Sequence, residues 1–105
     1  MISFKKKIDK LKLQHNREIT ALITGASSGM GLLYASHLAE AGCNLLIVSN
    51  QEKELQEVAE NLHKDYGVNV IARYQDLSQD DAAQQLFDFC KKENIVVDIL
   101  INNAG

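Results

Sequence analysis

The chain has 105 residues, 46% hydrophobic and 24% charged, with a formal net charge of −3. That length holds one domain, and no apolar run approaches the ~18 residues that a bilayer span requires. Proline is absent, which excludes a Pro-rich stalk, and the two well-separated cysteines, Cys43 and Cys90, read as reduced thiols of a cytoplasmic protein.

Charge is unevenly placed along the chain. Residues 1–17 carry Lys5, Lys6, Lys7, Lys10, Lys12 and Arg17 against Asp9 alone, whereas residues 18–105 hold five basic and thirteen acidic side chains. A basic arm on an acidic body is not a nucleic-acid footprint, in which the basic face belongs to the fold itself. The lysines are followed by neither an apolar signal core nor a small-residue cleavage site, which argues against secretion. Phe4, Ile8 and Leu11 recur at i, i+4 and i+7, predicting a short amphipathic helix over 3–14. Its stripe either packs on the body, the simpler reading, or lies on an anionic membrane surface. One short stripe is no firm membrane signal.

From Glu18 onward the pattern is that of a single α/β domain. ITALIT (19–24), closed by Gly25, predicts a first strand. Met30, Leu33, Tyr34, His37, Leu38 and Ala41 follow at helical spacing as a core face, and Gly42 stands where that helix stops. NLLIVSN (44–50) predicts a second strand. Leu55, Val58, Ala59 and Leu62 mark the next helix, rich in Glu toward its start, where the helix dipole favours acids. VNVIARY (68–74) predicts a third strand. Ser78 and Asp81 suggest an N-cap pair opening a helix that turns Ala82, Leu86, Phe89 and Cys90 inward. IVVDILI (95–101) predicts a fourth strand whose outer edge stands open.

Strands alternating with helices predict a parallel sheet with helices on both faces. Right-handed crossovers then favour the order 3-2-1-4, the first part of a doubly wound sheet. Near-continuous apolar runs in strands one, two and four predict burial on both faces. His15, His37 and His63 lack ligand spacing, so no metal site is assigned.

Chemistry concentrates in TGASSGMG (24–31), between a predicted strand and a predicted helix. Gly25 suits the positive φ of a tight turn, Gly29 allows close backbone approach to a pyrophosphate, and Gly31 lets the helix pack closely. The bare N–H groups of the helix start favour an anion, and the hydroxyls of Ser27 and Ser28 either cap the helix or bond phosphate oxygens. About 20 positions further on, an acid would select NAD and an arginine NADP. The chain has Ser49, Asn50 and Gln51 there, with Lys53 as the nearest cation, which leans toward NADP over NAD.

TGASSGMG after a strand resembles the cofactor loop of the short-chain dehydrogenase/reductases, and DILINNAG (98–105) resembles that family's second landmark. Asp76-Leu77 resembles its adenine-contacting acid and neighbour. The resemblance covers residues 18–105 and implies a Rossmann-type nucleotide-binding domain. It implies that Gly25, Ser27, Ser28, Gly29, Met30 and Gly31 surround the pyrophosphate and adjoining ribose, and that Ser49 and Asn50 meet the adenosine ribose. Asp76 then accepts from the adenine amino group, with Leu77 giving a backbone contact. Asn103, Ala104 and Gly105 line the cofactor and steady the central strands.

The family's acid/base pair is Tyr-x-x-x-Lys. Here Tyr34, Tyr66 and Tyr74 are followed four residues on by Leu38, Val70 and Ser78. The expectation is a cofactor-binding portion, cut after the fourth strand and silent alone. The resemblance implies a homo-oligomeric oxidoreductase that moves hydride between a nicotinamide dinucleotide and a small carbonyl or alcohol substrate. Two alternatives stand beside it: a non-catalytic dinucleotide-binding module, and an interaction protein that uses the basic arm.

Overall fold

Runs of leucine, isoleucine and valine form the strands at the centre of a parallel sheet. The computed structural model describes residues 4–103. Its strands are β1 (Thr20–Thr24), β2 (Asn44–Ser49), β3 (Val70–Tyr74) and β4 (Ile99–Ile101). The helices α2 (Gly29–Glu40), α3 (Glu52–Tyr66) and α4 (Ala82–Lys92) connect them in sequence, and α1 (Phe4–His15) leads in. The sheet order is β3-β2-β1-β4, every pair parallel, as the alternating pattern predicts.

Side chains of a strand alternate between faces, and here the alternation sorts the core into two parts. Ala21, Ile23, Leu45 and Ile47 point to the face covered by α1, α2 and α3, where Ile8, Leu38, Leu55 and Leu62 close over them. Leu22, Leu46 and Val48 point to the other face, covered by α4 through Leu86 and the half-buried Phe89 and Cys90. Each fully buried aliphatic contributes about 1.5–3 kcal/mol, so β1 and β2 carry much of the fold. Helix α3 ends as its composition requires, with Gly67 at φ 74° in the left-handed region and its N–H on the His63 carbonyl at 2.8 Å.

Several expectations need correction. In α2 the predicted core stripe is rotated: Met30 and Leu33 are 54% and 48% exposed and His37 is exposed, while Gly31, Ala35, Leu38 and Ala39 are buried. Where the helix passes the glycine loop, only a hydrogen-only side chain fits, at Gly31; Ala35, Leu38 and Ala39 carry the inner side further along. Strand β4 has three residues rather than seven. Asn94 takes a φ of 56°, the Ile95 N–H bonds back to the Cys90 carbonyl at 2.8 Å, and Ile95 and Val97 pack against the α4 side instead. Nor is β4 buried on both faces, since Leu100 is 61% exposed beside an open apolar groove of about 730 Å³. Ser78 and Asp81 do not form a cap pair. Asp81 takes the N-cap position with no side-chain capping bond, and Ser78 bonds Asp76.

An ion pair joins the starts of β1 and the edge strand β4. The two Arg17 Nη atoms donate to the Asp98 oxygens at 2.8 and 2.6 Å, and the Thr20 N–H donates to Asp98 Oδ2 at 3.0 Å. The Asp98 side chain is only 10% exposed. Its carboxyl is held below the usual range, chiefly by the Arg17 hydrogen bond.

Candidate functional site

A parallel sheet sends all its strands out at one edge, so the turns after β1, β2 and β3 meet there. They enclose a cleft of about 320 Å³ whose walls include Gly25, Ser27, Ser28, Ser49, Asn50, Asp76 and Leu77. The topology thus brings together seven of the thirteen residues predicted for the site. The cleft lies over the carboxyl ends of β1, β2 and β3, next to the point at β1 where the strand order reverses. In open α/β sheets that reversal is where ligands bind.

The glycine loop is built from backbone contacts. Gly25 turns out of β1 with φ 64°, and the Ala26 N–H donates to the Val48 carbonyl at 3.2 Å, pinning the loop to β2. A Cβ on Gly31 would lie 2.0 Å from the Gly25 carbonyl oxygen, so α2 and the loop touch through a hydrogen-only side chain. Gly29 has φ 58° and open space beside its α-carbon. Helix geometry leaves the N–H groups of the first turn without intrahelical acceptors, and the N-cap Ser28 supplies no side-chain bond to them. The sequence allowed Ser28 to be a cap, and it does take the N-cap position with the extended backbone usual there, but without a side-chain bond the helix start stays bare.

The serines and the asparagine edge brace this loop. The Ser27 and Ser49 hydroxyls meet at 2.9 Å, and the Gln51 N–H donates to Ser49 Oγ at 3.0 Å, so the 6% exposed Ser49 is part of the wall. Asn50 is exposed at the rim. Across the sheet, Thr24 Oγ1 donates to Asn102 Oδ1 at 3.1 Å and accepts from the Asn103 N–H at 2.9 Å. Asn103 Nδ2 reaches the Gly25 carbonyl at 3.5 Å. Asn103 therefore steadies the ends of β1 and β4. Along with Gly29, Met30 and Gly31, it stands outside the cleft walls. Ala104 and Gly105 lie outside the described residues.

Asp76 closes the far wall. Its Oδ1 accepts from the Ser78 N–H and Oγ at 3.0 and 2.6 Å, and its Oδ2 from Gln79 Nε2 at 3.4 Å. Those bonds, led by the Ser78 hydroxyl, hold its carboxyl below the usual range. An ionised carboxylate offers about four lone-pair sites, so a further donor can be accommodated. Gln51, Gln75 and Ser78 also line the cleft and were not predicted. Gln75 is 7% exposed, its N–H on the Ser49 carbonyl at 3.1 Å and its Nε2 on Gln85 Oε1 at 2.9 Å. Only its place at the end of β3, beside Asp76, signalled it in the sequence.

Comparison with known proteins agrees with this geometry. A family model described as short chain dehydrogenase matches residues 19–105. The fatty acyl-CoA reductase of Acinetobacter baylyi is 38% identical over 100 residues, covering 95% of this chain and 34% of that protein. The solved L-sorbose reductase of Gluconobacter frateurii, in complex with NADPH and L-sorbose, superposes with a TM-score of 0.79 at 33% identity, over 84% of this chain and 34% of its own. The short-chain dehydrogenase of Sphingobium yanoikuyae, in complex with NADPH, gives 0.75 at 38% identity, over 83% and 34%. The chain thus spans about a third of the length of these relatives.

Proposed function

This chain belongs to the short chain dehydrogenase family, and from that premise we propose that it is the nucleotide-holding part of an NAD(P)-dependent oxidoreductase. The observation that carries this reading is the contact between Gly31 and the Gly25 carbonyl. It fixes a bare helix start at the carboxyl edge of the sheet, where backbone N–H groups and the helix dipole favour a diphosphate.

The residues fit such a ligand. Gly25, Ser27, Ser28, Gly29, Met30 and Gly31 would surround the pyrophosphate and its adjoining ribose; the open space beside Gly29 leaves room for it. Asn50 and the Ser49 wall would meet the adenosine ribose, and Asp76 the adenine amino group, beside Leu77. Asn103, with Ala104 and Gly105, would border the cofactor on the β4 side. Ser49, Asn50 and Gln51 present no carboxylate to repel a 2′-phosphate. NADP is therefore the proposed cofactor ahead of NAD, and the NADPH held by the two solved relatives supports that order.

Once bound, the cofactor supplies the hydride, exchanged in the whole enzyme with a carbonyl or alcohol carbon. This chain contains no Tyr-x-x-x-Lys, so its own part is to bind, orient and shield the nucleotide. Residues 18–105 form that domain and residues 1–17 its basic arm. The two free thiols, Cys43 buried and Cys90 half-buried, suit a reducing cytoplasmic setting. Calorimetric titration of the chain with NADPH, NADH and ADP tests the reading. Saturable binding with NADPH tightest is expected; no saturable heat at millimolar ligand overturns it.

A further inference from the structure

Helix α1 sits at the end of the molecule opposite the cleft. The Phe4 ring lies 6.3 Å from that of His37 near the end of α2, and Lys12 pairs with Glu18 at 3.6 Å, just before β1. Ile8 is 2% exposed and Leu11 packs against the same core, so these two residues of the apolar stripe are committed to the body. What faces water is a second stripe on the opposite side. Helical spacing aligns Lys6, Lys10 and Leu13 there, with Lys7 on the flank. Among the described residues these three lysines pair with no carboxylate, because Asp9 is taken by Lys5 at 3.5 Å. Leu13, among them, is 84% exposed.

We propose that this outward face of α1 docks on the surface of an anionic lipid bilayer. Charge complementarity supports the choice, since the unpaired ammonium groups of Lys6 and Lys10, with that of Lys7 at their flank, suit a plane of anionic headgroups, worth roughly a fivefold gain in binding for each lysine near the surface. A helix is about 10 Å across, close to the Debye length at physiological salt. The acidic body behind α1 is thus partly screened, at physiological salt, from a surface touching its front. The exposed leucine distinguishes a lipid from a nucleic acid: it can sink among acyl chains, whereas a phosphate backbone offers it nothing. Since Ile8 and Leu11 stay in the core, attachment is peripheral and salt-sensitive. It also leaves the cleft free. Among the described residues no helix is long and apolar enough to cross a membrane.

Vesicle flotation of the full chain, with a vesicle-free control, tests this. Phosphatidylcholine vesicles with and without about one-third phosphatidylserine would be compared in low and high salt. Binding is expected only to the anionic vesicles and is expected to vanish in high salt. The triple variant K6Q/K7Q/K10Q should bind on the order of 100-fold more weakly, and Leu13→Gln about tenfold more weakly, each with an unchanged circular dichroism spectrum. The proposal is overturned if the full chain does not float with anionic vesicles, or if the triple variant floats equally well. Binding to a single-stranded RNA with equal affinity and no dependence on Leu13 overturns it as well.

Discussion

At Gly31 one hydrogen atom separates α2 from the Gly25 carbonyl, and both partners are backbone, so neither can rotate away from a larger side chain. Gly31→Ala is expected to cost about 1–3 kcal/mol, the usual range for forced overpacking, and to remove NADPH binding. Urea denaturation and calorimetry read the two effects separately, and an unchanged midpoint would show that the loop gives way. Asp98 makes the second residue-scale prediction. Its folded carboxyl titrates below the ordinary value near 3.9. Its stabilisation is therefore complete above that ordinary value and fades as pH falls through the lower, folded one. Asp98→Ala should cost about 1–3 kcal/mol at neutral pH and flatten the loss of stability between neutral and strongly acidic solution, measured as the urea midpoint against pH. The roles of Gly25 and Gly31 were legible in the sequence, because a positive φ and a tight strand–helix turn are demands that few residues meet. The place of Gln75 was not, since a polar residue at a strand end has no meaning until the sheet order brings it beside Ser49 and Asp76.

Helix α2 shows what periodicity misses among the elements. A stripe drawn through its large apolar residues selects Met30 and Leu33, yet the buried side is Gly31, Ala35, Leu38 and Ala39. At Gly31 the backbone runs too near the loop for bulk, and that approach is a tertiary fact that hydropathy does not encode. Leu33→Gln should therefore shift stability by less than about 0.5 kcal/mol, while Ala35→Leu should lose about 1–3 kcal/mol. A thermal-melt comparison of the two decides whether the buried side is assigned correctly. In α3 no such proximity intervenes, and of the predicted stripe Leu55, Ala59 and Leu62 are buried and Val58 is partly buried against the same core. For β4, an apolar run of seven yields three paired residues because the left-handed turn at Asn94 redirects Ile95 and Val97 into the α4 packing.

For the molecule as a whole, the two sheet faces are unequally covered. Phe87 and Leu100 are 62% and 61% exposed along the groove beside α4. Together with the unpaired edge of β4, that surface invites a second copy. The 105-residue chain is expected to sediment as oligomers at micromolar concentration, and Leu100→Glu should shift it toward monomer in analytical ultracentrifugation. A wild-type chain that stays monomeric under those conditions would contradict this. The strand order was readable because chirality prunes the arrangements of alternating elements; the uneven cover was not, since it depends on which helices reach which face. One further consequence concerns timing. Strands β1 and β4 are fastened at one end by Arg17 and Asp98 and at the other by Thr24 with Asn102 and Asn103, partners 78 to 81 positions apart. Loops that long close late. During synthesis, β1 and β4 are thus expected to be fastened at both ends only after Asn103 has left the ribosome.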